Sequence, residues 1–322
     1  MDRVLIFAPN WLGDAVMALP AIADVRRGRP GATIAVAARP SVAPLFGMVR
    51  EVDDVIAPEK GFGIFDAAIL LPNSFRSALA ALRAGIPERW GYRSDCRGPL
   101  LTRAIDRPAA RTHQVEYYRQ LVRALGFPSC QGEPRLEVPP ERRAAAALVL
   151  ERAGWDRLTP LVALAPGAAY GSARRWPADR FAALAQALAG DGMRPVLVGS
   201  AKDIPTGRKI ESSLGDSRTV LNLIGRTDLP TLAGVLVNAR ALVANDSGAM
   251  HLGAALGVPL TAVFGPTDER VTGPRASSSQ QVEVLTHQVW CRPCRLRTCP
   301  IGHGCMRGIH VNAVLEAARR ML

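Results

Sequence analysis

Four stretches of this 322-residue sequence carry side chains suited to group transfer, and each directly follows a short apolar run. Ala8-Pro9-Asn10-Trp11-Leu12-Gly13-Asp14 ends on a carboxylate placed at or near the start of a helix. There it either caps the helix by accepting a backbone N–H or takes a proton from an attacking hydroxyl as a general base. The loop lacks G-x-G-x-x-G, which argues against a dinucleotide fingerprint. Asn245-Asp246-Ser247-Gly248-Ala249-Met250-His251 leads into a small-residue helix. The free N–H groups and positive dipole end of that helix make an anion site, and Ser247 and Gly248 let a phosphate approach closely. The competing reading is a capped turn with a core-facing His251. A third loop, 166–177, places Arg174 and Arg175 just before Pro177 at a helix start, where two guanidinium groups can grip a diphosphate. Gly199-Ser200-Ala201-Lys202-Asp203 belongs to the same rim.

Two further clusters stand apart from these loops. Residues 76–111 carry eight arginines, Arg76, Arg83, Arg89, Arg93, Arg97, Arg103, Arg107 and Arg111, against Glu88, Asp95 and Asp106. They read either as a solvated surface or as a face for a multiply anionic acceptor. Cys96 and Cys130 stand alone, whereas Cys291, Cys294, Cys299 and Cys305 fall within 15 residues, with His303 among them. In a reducing compartment that spacing favours a structural metal over disulfides, zinc ahead of an iron–sulfur cluster, with no metal as the other reading. Because the cluster lies outside the strand-end loops, its expected role is structural or none.

The elements that must position these residues are legible as apolar strands alternating with amphipathic helices. Strands are expected at 3–8, 33–37, 54–57 and 67–71, with helices near 14–27, 75–83 and 113–126. The pattern restarts with strands at 161–165, 195–199, 241–244 and 259–264 and helices near 177–190, 228–238 and 249–256. Such alternation indicates α/β architecture with parallel sheets covered on both faces, here as two Rossmann-like domains. The boundary falls in 137–160, and is set at 157/158; the last helical pattern, 312–322, is expected to pack back on the first domain. Ligands of open α/β sheets bind beyond the carboxyl ends of the strands, so two facing sheets put the site in the cleft between them.

Composition bounds the function. The chain is 48% hydrophobic and 21% charged, as expected of a globular protein, and long enough for two cores. No apolar run reaches the roughly 18–20 residues of a membrane span, and Asp2 and Asp14 interrupt the apolar opening, so a cytoplasmic protein without a signal peptide is expected. The net charge of +12 divides into +5 over residues 1–160 (22 basic, 17 acidic) and +7 over 161–322 (18 basic, 11 acidic). Lys60, Lys202 and Lys209 are the only lysines. The basicity implies an anionic partner: nucleic acid, a phosphorylated small molecule or an anionic membrane. Only 5% of residues are aromatic, which weighs against base stacking and hence against a nucleic-acid partner.

Taken together, several motifs resemble those of the ADP-heptose:lipopolysaccharide heptosyltransferases of glycosyltransferase family 9. They are Trp11-Leu12-Gly13-Asp14 with Met17, Leu71-Pro72-Asn73-Ser74-Phe75-Arg76, Pro166-Gly167-Ala168, Arg175-Trp176-Pro177, Gly199-Ser200-Ala201-Lys202-Asp203 and Asn245-Asp246-Ser247-Gly248 with Met250 and His251. The resemblance spans residues 1 to about 275, and the Pro72-Asn73-Ser74-Phe75 segment is most similar to the branch that adds the second inner-core heptose.

The resemblance implies a GT-B fold and an inverting, metal-independent transfer of L-glycero-D-manno-heptose from ADP-heptose to a phosphorylated heptosyl-Kdo-lipid A acceptor at the cytoplasmic face of the inner membrane. It implies Asp14 as base. It also implies donor contacts from Arg174, Arg175, Ser200, Lys202, Asp246, Ser247, Gly248 and His251, and acceptor contacts from Asn10, Trp11, Asn73, Ser74, Arg76 and Arg93. Residues 1–157 would then bind the acceptor and 158–322 the donor. The family commonly has lysine where this chain has Arg174, so the diphosphate contact is expected to change geometry or pass to Arg175. The cysteine cluster is no part of the resemblance. Transfer to another acceptor position, and a non-catalytic nucleotide- or RNA-binding protein, are the alternatives.

Overall fold

A computed structural model describes residues 2–108, 111–129 and 132–322; Cys130 lies outside them. The chain divides into two compact units, Met1–Leu136 and Glu137–Leu322. The division falls at the start of the proline-flanked linker, earlier than the 157/158 boundary expected from sequence. The helix Pro140–Arg152 belongs to the second unit because it packs on the helix Leu229–Asn238. Gly234 faces Ala146 and the Arg142 carbonyl so closely that no side chain fits there, and Asn238 donates to the Arg143 carbonyl at 3.1 Å.

The first unit holds β1 (Arg3–Phe7), β2 (Thr33–Ala37), β3 (Asp54–Ile56), β4 (Ala67–Leu70), β5 (Glu88–Tyr92) and β6 (Arg103–Ile105), all parallel, in the order β3-β2-β1-β4-β5-β6. The second holds β7 (Leu161–Ala165), β8 (Arg194–Leu197), β9 (Leu221–Asn222), β10 (Ala241–Asn245), β11 (Leu260–Phe264) and β12 (Val282–Thr286), again all parallel, in the order β12-β11-β10-β7-β8-β9. Each unit therefore repeats one doubly wound order, third-second-first-fourth-fifth-sixth in its own strands. The inner strands β4, β7, β10 and β11 are buried along their whole length, so each must be apolar on both faces. Four strands escape the sequence reading. β6 and β9 are short edges, β12 is a half-buried edge carrying Glu283, and charged Glu88 and Arg89 open β5.

The expected helix at 14–27 is two helices, Leu12–Met17 and Leu19–Gly28, with Pro20 in the first turn of the second. The C-terminal helix Val311–Arg320 packs on the helix Ala178–Gly190 and on β10 and β11, within the second unit, which corrects the expectation that it returns to the first. Val314, Leu315 and Ala318 enter the second unit's core, and Arg319 forms a two-pronged pair with Asp191, both bonds at 2.8 Å.

Candidate active site

In each unit the strand order reverses beside the first strand, and the loops leaving the two strands that flank this switch point form the crevice where such sheets bind ligands. The flanking strands are β1 and β4 in the first unit, and β7 and β10 in the second. Their loops are 8–14, 71–75, 166–177 and 246–251, which carry most of the residues that the sequence singles out.

In the first unit Asp14 stands in the first turn of Leu12–Met17, where the helix dipole favours its charge. The N-cap is Trp11, whose side chain makes no capping bond, so Asp14 is not the N-cap aspartate of the structural reading. Asn10 and Trp11 are exposed, Trp11 at 49%. The short helix packs on the helix Gln114–Ala124, and that helix joins the two loops. Burial, and then the charge of Asp14, hold the Tyr118 phenol well above its ordinary pKa. The adjacent Tyr117 hydroxyl accepts a 2.8 Å bond from the Asn73 amide. Tyr92 donates to the Tyr117 carbonyl at 2.7 Å, and the two rings lie 4.5 Å apart. The Tyr117 phenol thus braces Asn73, and Asn73 Oδ1 is buried without a partner.

The loop after β4 rests on a residue that the sequence reading does not separate from its neighbours. Arg97 is fully buried and donates to the carbonyls of Tyr92, Pro72 and Ser74 and to Ser77 Oγ. Burial lowers its pKa to about 10, so the guanidinium stays charged at neutral pH. Gly91 is required beside it, since a Cβ there would lie 2.9 Å from Arg97 Nη2. Ser94 donates to the Asn73 carbonyl at 2.8 Å and Asp95 accepts from the Phe75 N–H at 2.6 Å. Ser74 is the N-cap of Phe75–Arg83, so its hydroxyl is occupied. The eight arginines therefore do not share one role. Arg97 holds the loop, Arg89 donates to the Leu100, Ile86 and Pro87 carbonyls, and Arg103 lies over the Trp90 ring. Arg93 pairs with Asp106 at 3.4 Å in solvent. Arg76 and Arg83 line an open pocket of about 420 Å³ with Phe62 and Leu79.

The second unit's loops are fixed by buried amides and charges. Asn245 accepts from the Trp176 N–H at 3.1 Å and donates to the Pro166 carbonyl at 2.8 Å, so one buried side chain joins the loops after β7 and β10. Asp246, 2% exposed, pairs with Arg174 at 3.0 Å and accepts from Thr267 Oγ1 at 2.6 Å. Burial raises its pKa, against the opposing pull of Arg174 and Thr267. Ser247 is the N-cap of Gly248–Ala255 but makes no capping bond, and its buried Oγ has no partner. The Nε atoms of Arg174 and Arg175 are likewise buried without partners. Each is a donor whose hydrogen-bonding capacity is unspent, and burying a polar atom unpaired costs about 1–3 kcal/mol. His251 is buried on the same helix.

Arg175 lies 3.4 Å from both the Ala168 carbonyl and Asp203. Asp203 also accepts from the Ser200 N–H and hydroxyl at 3.0 and 2.8 Å in a capping box, so Ser200 is engaged locally while Lys202 remains exposed. Gly167 is needed against the Asp203 carboxylate, where any side chain would collide. Sequence reasoning missed Asn245, Thr267 and Asp203 as partners, although Asn245 and Asp203 lie inside motifs it quoted; Thr267, Tyr117, Tyr118 and Arg97 had no local signal.

The cysteine segment, outside the strand-end loops in sequence, is bonded to two of them. Arg292 donates to the Gly265 and Thr267 carbonyls and pairs with Glu269, and the Arg295 N–H donates to the Pro266 carbonyl. The Ala173 N–H donates to the Arg297 carbonyl, and Gly171 presses on that carbonyl too closely to carry a side chain. Burial, followed by the neighbouring thiols of Cys294, Cys299 and Cys291, raises the pKa of Cys305. Among the described residues no group of three or more His, Cys, Asp or Glu side chains is arranged to hold a metal ion. Nor is any helix among them long and apolar enough to cross a membrane.

The family model for glycosyltransferase family 9 (heptosyltransferase) matches residues 62–304. Lipopolysaccharide heptosyltransferase 2 of Escherichia coli (strain K12) is 32% identical over 311 residues, 88% of either chain. Lipooligosaccharide heptosyltransferase 2 of Haemophilus influenzae is 31% identical over 313 residues, 88% of this chain and 89% of that one. The solved structure of E. coli ADP-heptose lps heptosyltransferase II superimposes with a TM-score of 0.85 at 30% identity, covering 99% of this chain and 98% of that one.

Proposed function

The chain belongs to glycosyltransferase family 9, the heptosyltransferases, and from that premise we propose that it is the enzyme that moves L-glycero-D-manno-heptose from ADP-heptose onto heptosyl-Kdo-lipid A, the second inner-core heptose of lipopolysaccharide. The second unit binds the donor. The buried Asp246–Arg174 pair beside the unpartnered Ser247 hydroxyl carries this reading. Asp246 faces the heptose, and Ser247, Gly248 and the following N–H groups take the diphosphate. Arg175, Lys202 and His251 complete the donor contacts, with Ser200 acting through Asp203.

Transfer proceeds in one displacement. Asp14 removes the proton from the acceptor hydroxyl as its oxygen attacks the anomeric carbon, and the bond to the diphosphate breaks on the opposite side, inverting the configuration. Charge developing on the departing ADP is met by fixed donors, which stabilise it without reorganisation. No metal enters the reaction. The structural zinc expected at Cys291, Cys294, Cys299 and Cys305 does not fit, because among the described residues no group of three or more such side chains is arranged to hold a metal ion.

The first unit binds the acceptor through Asn10, Trp11 and Asn73, with Ser74 shaping the loop and Arg93 at its rim. The pocket between Arg76 and Arg83, with apolar walls from Phe62 and Leu79, suits an anionic amphiphile, which favours work at the cytoplasmic face of the inner membrane. Incubation with ADP-heptose and a series of truncated lipopolysaccharide acceptors, read by product mass, tests the assignment. A gain of one heptose on heptosyl-Kdo-lipid A is expected; a gain on Kdo-lipid A alone would move the enzyme to the first acceptor position, and no gain on any acceptor would refute heptosyl transfer.

A further inference from the structure

Arg174, the cation that stands before Arg175-Trp176-Pro177, is already committed. Its Nη1 pairs with the buried Asp246 at 3.0 Å, and its guanidinium lies 4.3 Å from the centre of the Tyr170 ring. A second guanidinium, that of Arg297, lies 4.9 Å from the same ring. Arg297 comes from the cysteine segment, whose backbone is fixed to this loop by the Ala173 N–H and by the Tyr170 hydroxyl, which donates to the Arg295 carbonyl at 3.4 Å. Among the described residues no carboxylate pairs with Arg297, and its side chain is exposed.

Two like charges over one ring repel each other, and the single carboxylate nearby offsets only one of them. The ring faces of aromatic residues attract cations, which holds both guanidinium groups in place but leaves a surplus positive charge. The surplus stands next to the loop whose buried donors, Arg174 Nε and Arg175 Nε, lack partners. An anion carrying more than one charge would relieve the repulsion and use the donors together.

We infer that Arg297 is a further diphosphate-binding residue, supplied to the donor loop by the cysteine segment, and that it bears the charge that Arg174 spends on Asp246. The inference rests on the proposed ADP-heptose donor. Arg174 then acts mainly as a positioning residue for Asp246, and Tyr170 is the ring against which both guanidinium groups lie. Residues 291–309 become part of the donor site.

Calorimetric titration of the full chain with ADP, and with adenosine by competition, tests this in wild type, Arg297→Ala and Arg297→Lys. Truncating the side chain leaves the Arg297 carbonyl and its bond to Ala173 intact, so the fold is retained, which a thermal melt verifies. The expected result is an ADP affinity about ten-fold weaker in Arg297→Ala, in line with loss of one charged hydrogen bond. Adenosine affinity stays unchanged, the salt dependence of ADP binding becomes shallower, and Arg297→Lys recovers part of the loss. Unchanged ADP affinity overturns the inference. So does an equal loss for ADP and adenosine, which would mark Arg297 as packing for Tyr170 alone. Wild-type protein that binds no ADP would defeat the donor reading itself, a result distinct from either.

Discussion

At the first switch point Asn73 is held by a neutral group, the Tyr117 phenol, and the buried cation beside this loop, Arg97, faces backbone carbonyls. At the second, Asp246 sits in a buried ion pair with Arg174, and unpartnered donors surround it. The strand order is the same in both units. What differs is the charge work asked of the loops. The base proposed for the first site must keep its carboxylate available to a hydroxyl. A site for a leaving diphosphate must gather positive charge before the ligand arrives, and a buried carboxylate keeps one of its arginines in place.

This contrast can be broken from either side. The largest effect is expected for Asp14→Asn, which removes the proposed base and should lower kcat by about 10²–10⁴-fold while ADP affinity measured by calorimetry stays within about two-fold of wild type. A parallel fall in ADP affinity would show that the two units do not divide the labour. Next comes Arg97→Met, which leaves the Tyr92 and Pro72 carbonyls unpaired in the interior. It should cost about 3 kcal/mol in urea unfolding and raise KM for the acceptor before that for the donor. Asn245→Ala is its counterpart in the second unit. Loss of the bonds to Trp176 and Pro166 should cost about 2 kcal/mol and weaken ADP, with KM for the acceptor nearly unchanged.

The smallest effect is a pH dependence. The folded state raises the Asp246 pKa, so between the ordinary carboxylate value of 3.8 and the raised one the native chain holds a proton that the unfolded chain lacks. Wild-type stability therefore gains on Asp246→Asn as pH falls through that window, and loses it again as pH rises. Urea midpoints of the two proteins across the acid range check the sign. A difference that stays flat with pH would show that burial does not strain this carboxylate.

The two regions also differ in how much of them is legible in the sequence. Asp246, Ser247 and Gly248 lie in one contiguous motif after a strand whose apolar run is unmistakable; Asn245 lies in the same motif, and Thr267, the partner of Asp246, closely follows the expected strand 259–264. The fold follows from the same runs, since inner parallel strands must be apolar on both faces. The first site is assembled at a distance. Asn73 meets Tyr117, 44 residues away, and the Pro72 loop is held by Arg97, one of eight similar arginines whose burial no local pattern reveals. The C-terminal helix misled for a related reason. An amphipathic face says that something covers it, but only the tertiary structure shows that the partner is the helix Ala178–Gly190. The cysteine segment was legible as a cluster and illegible as a neighbour, because its bonds to Ala173, Gly265 and Thr267 run through backbone carbonyls and N–H groups.

The proposed division between a base in one unit and a donor site in the other makes one stereochemical demand. A nuclear magnetic resonance assignment of the new glycosidic bond, made by wild-type protein from ADP-heptose and heptosyl-Kdo-lipid A, tests it most directly. Inversion at the anomeric carbon relative to the donor is the predicted outcome. Retention would require a second displacement and an enzyme nucleophile, and would contradict Asp14 as the base of a single-step transfer.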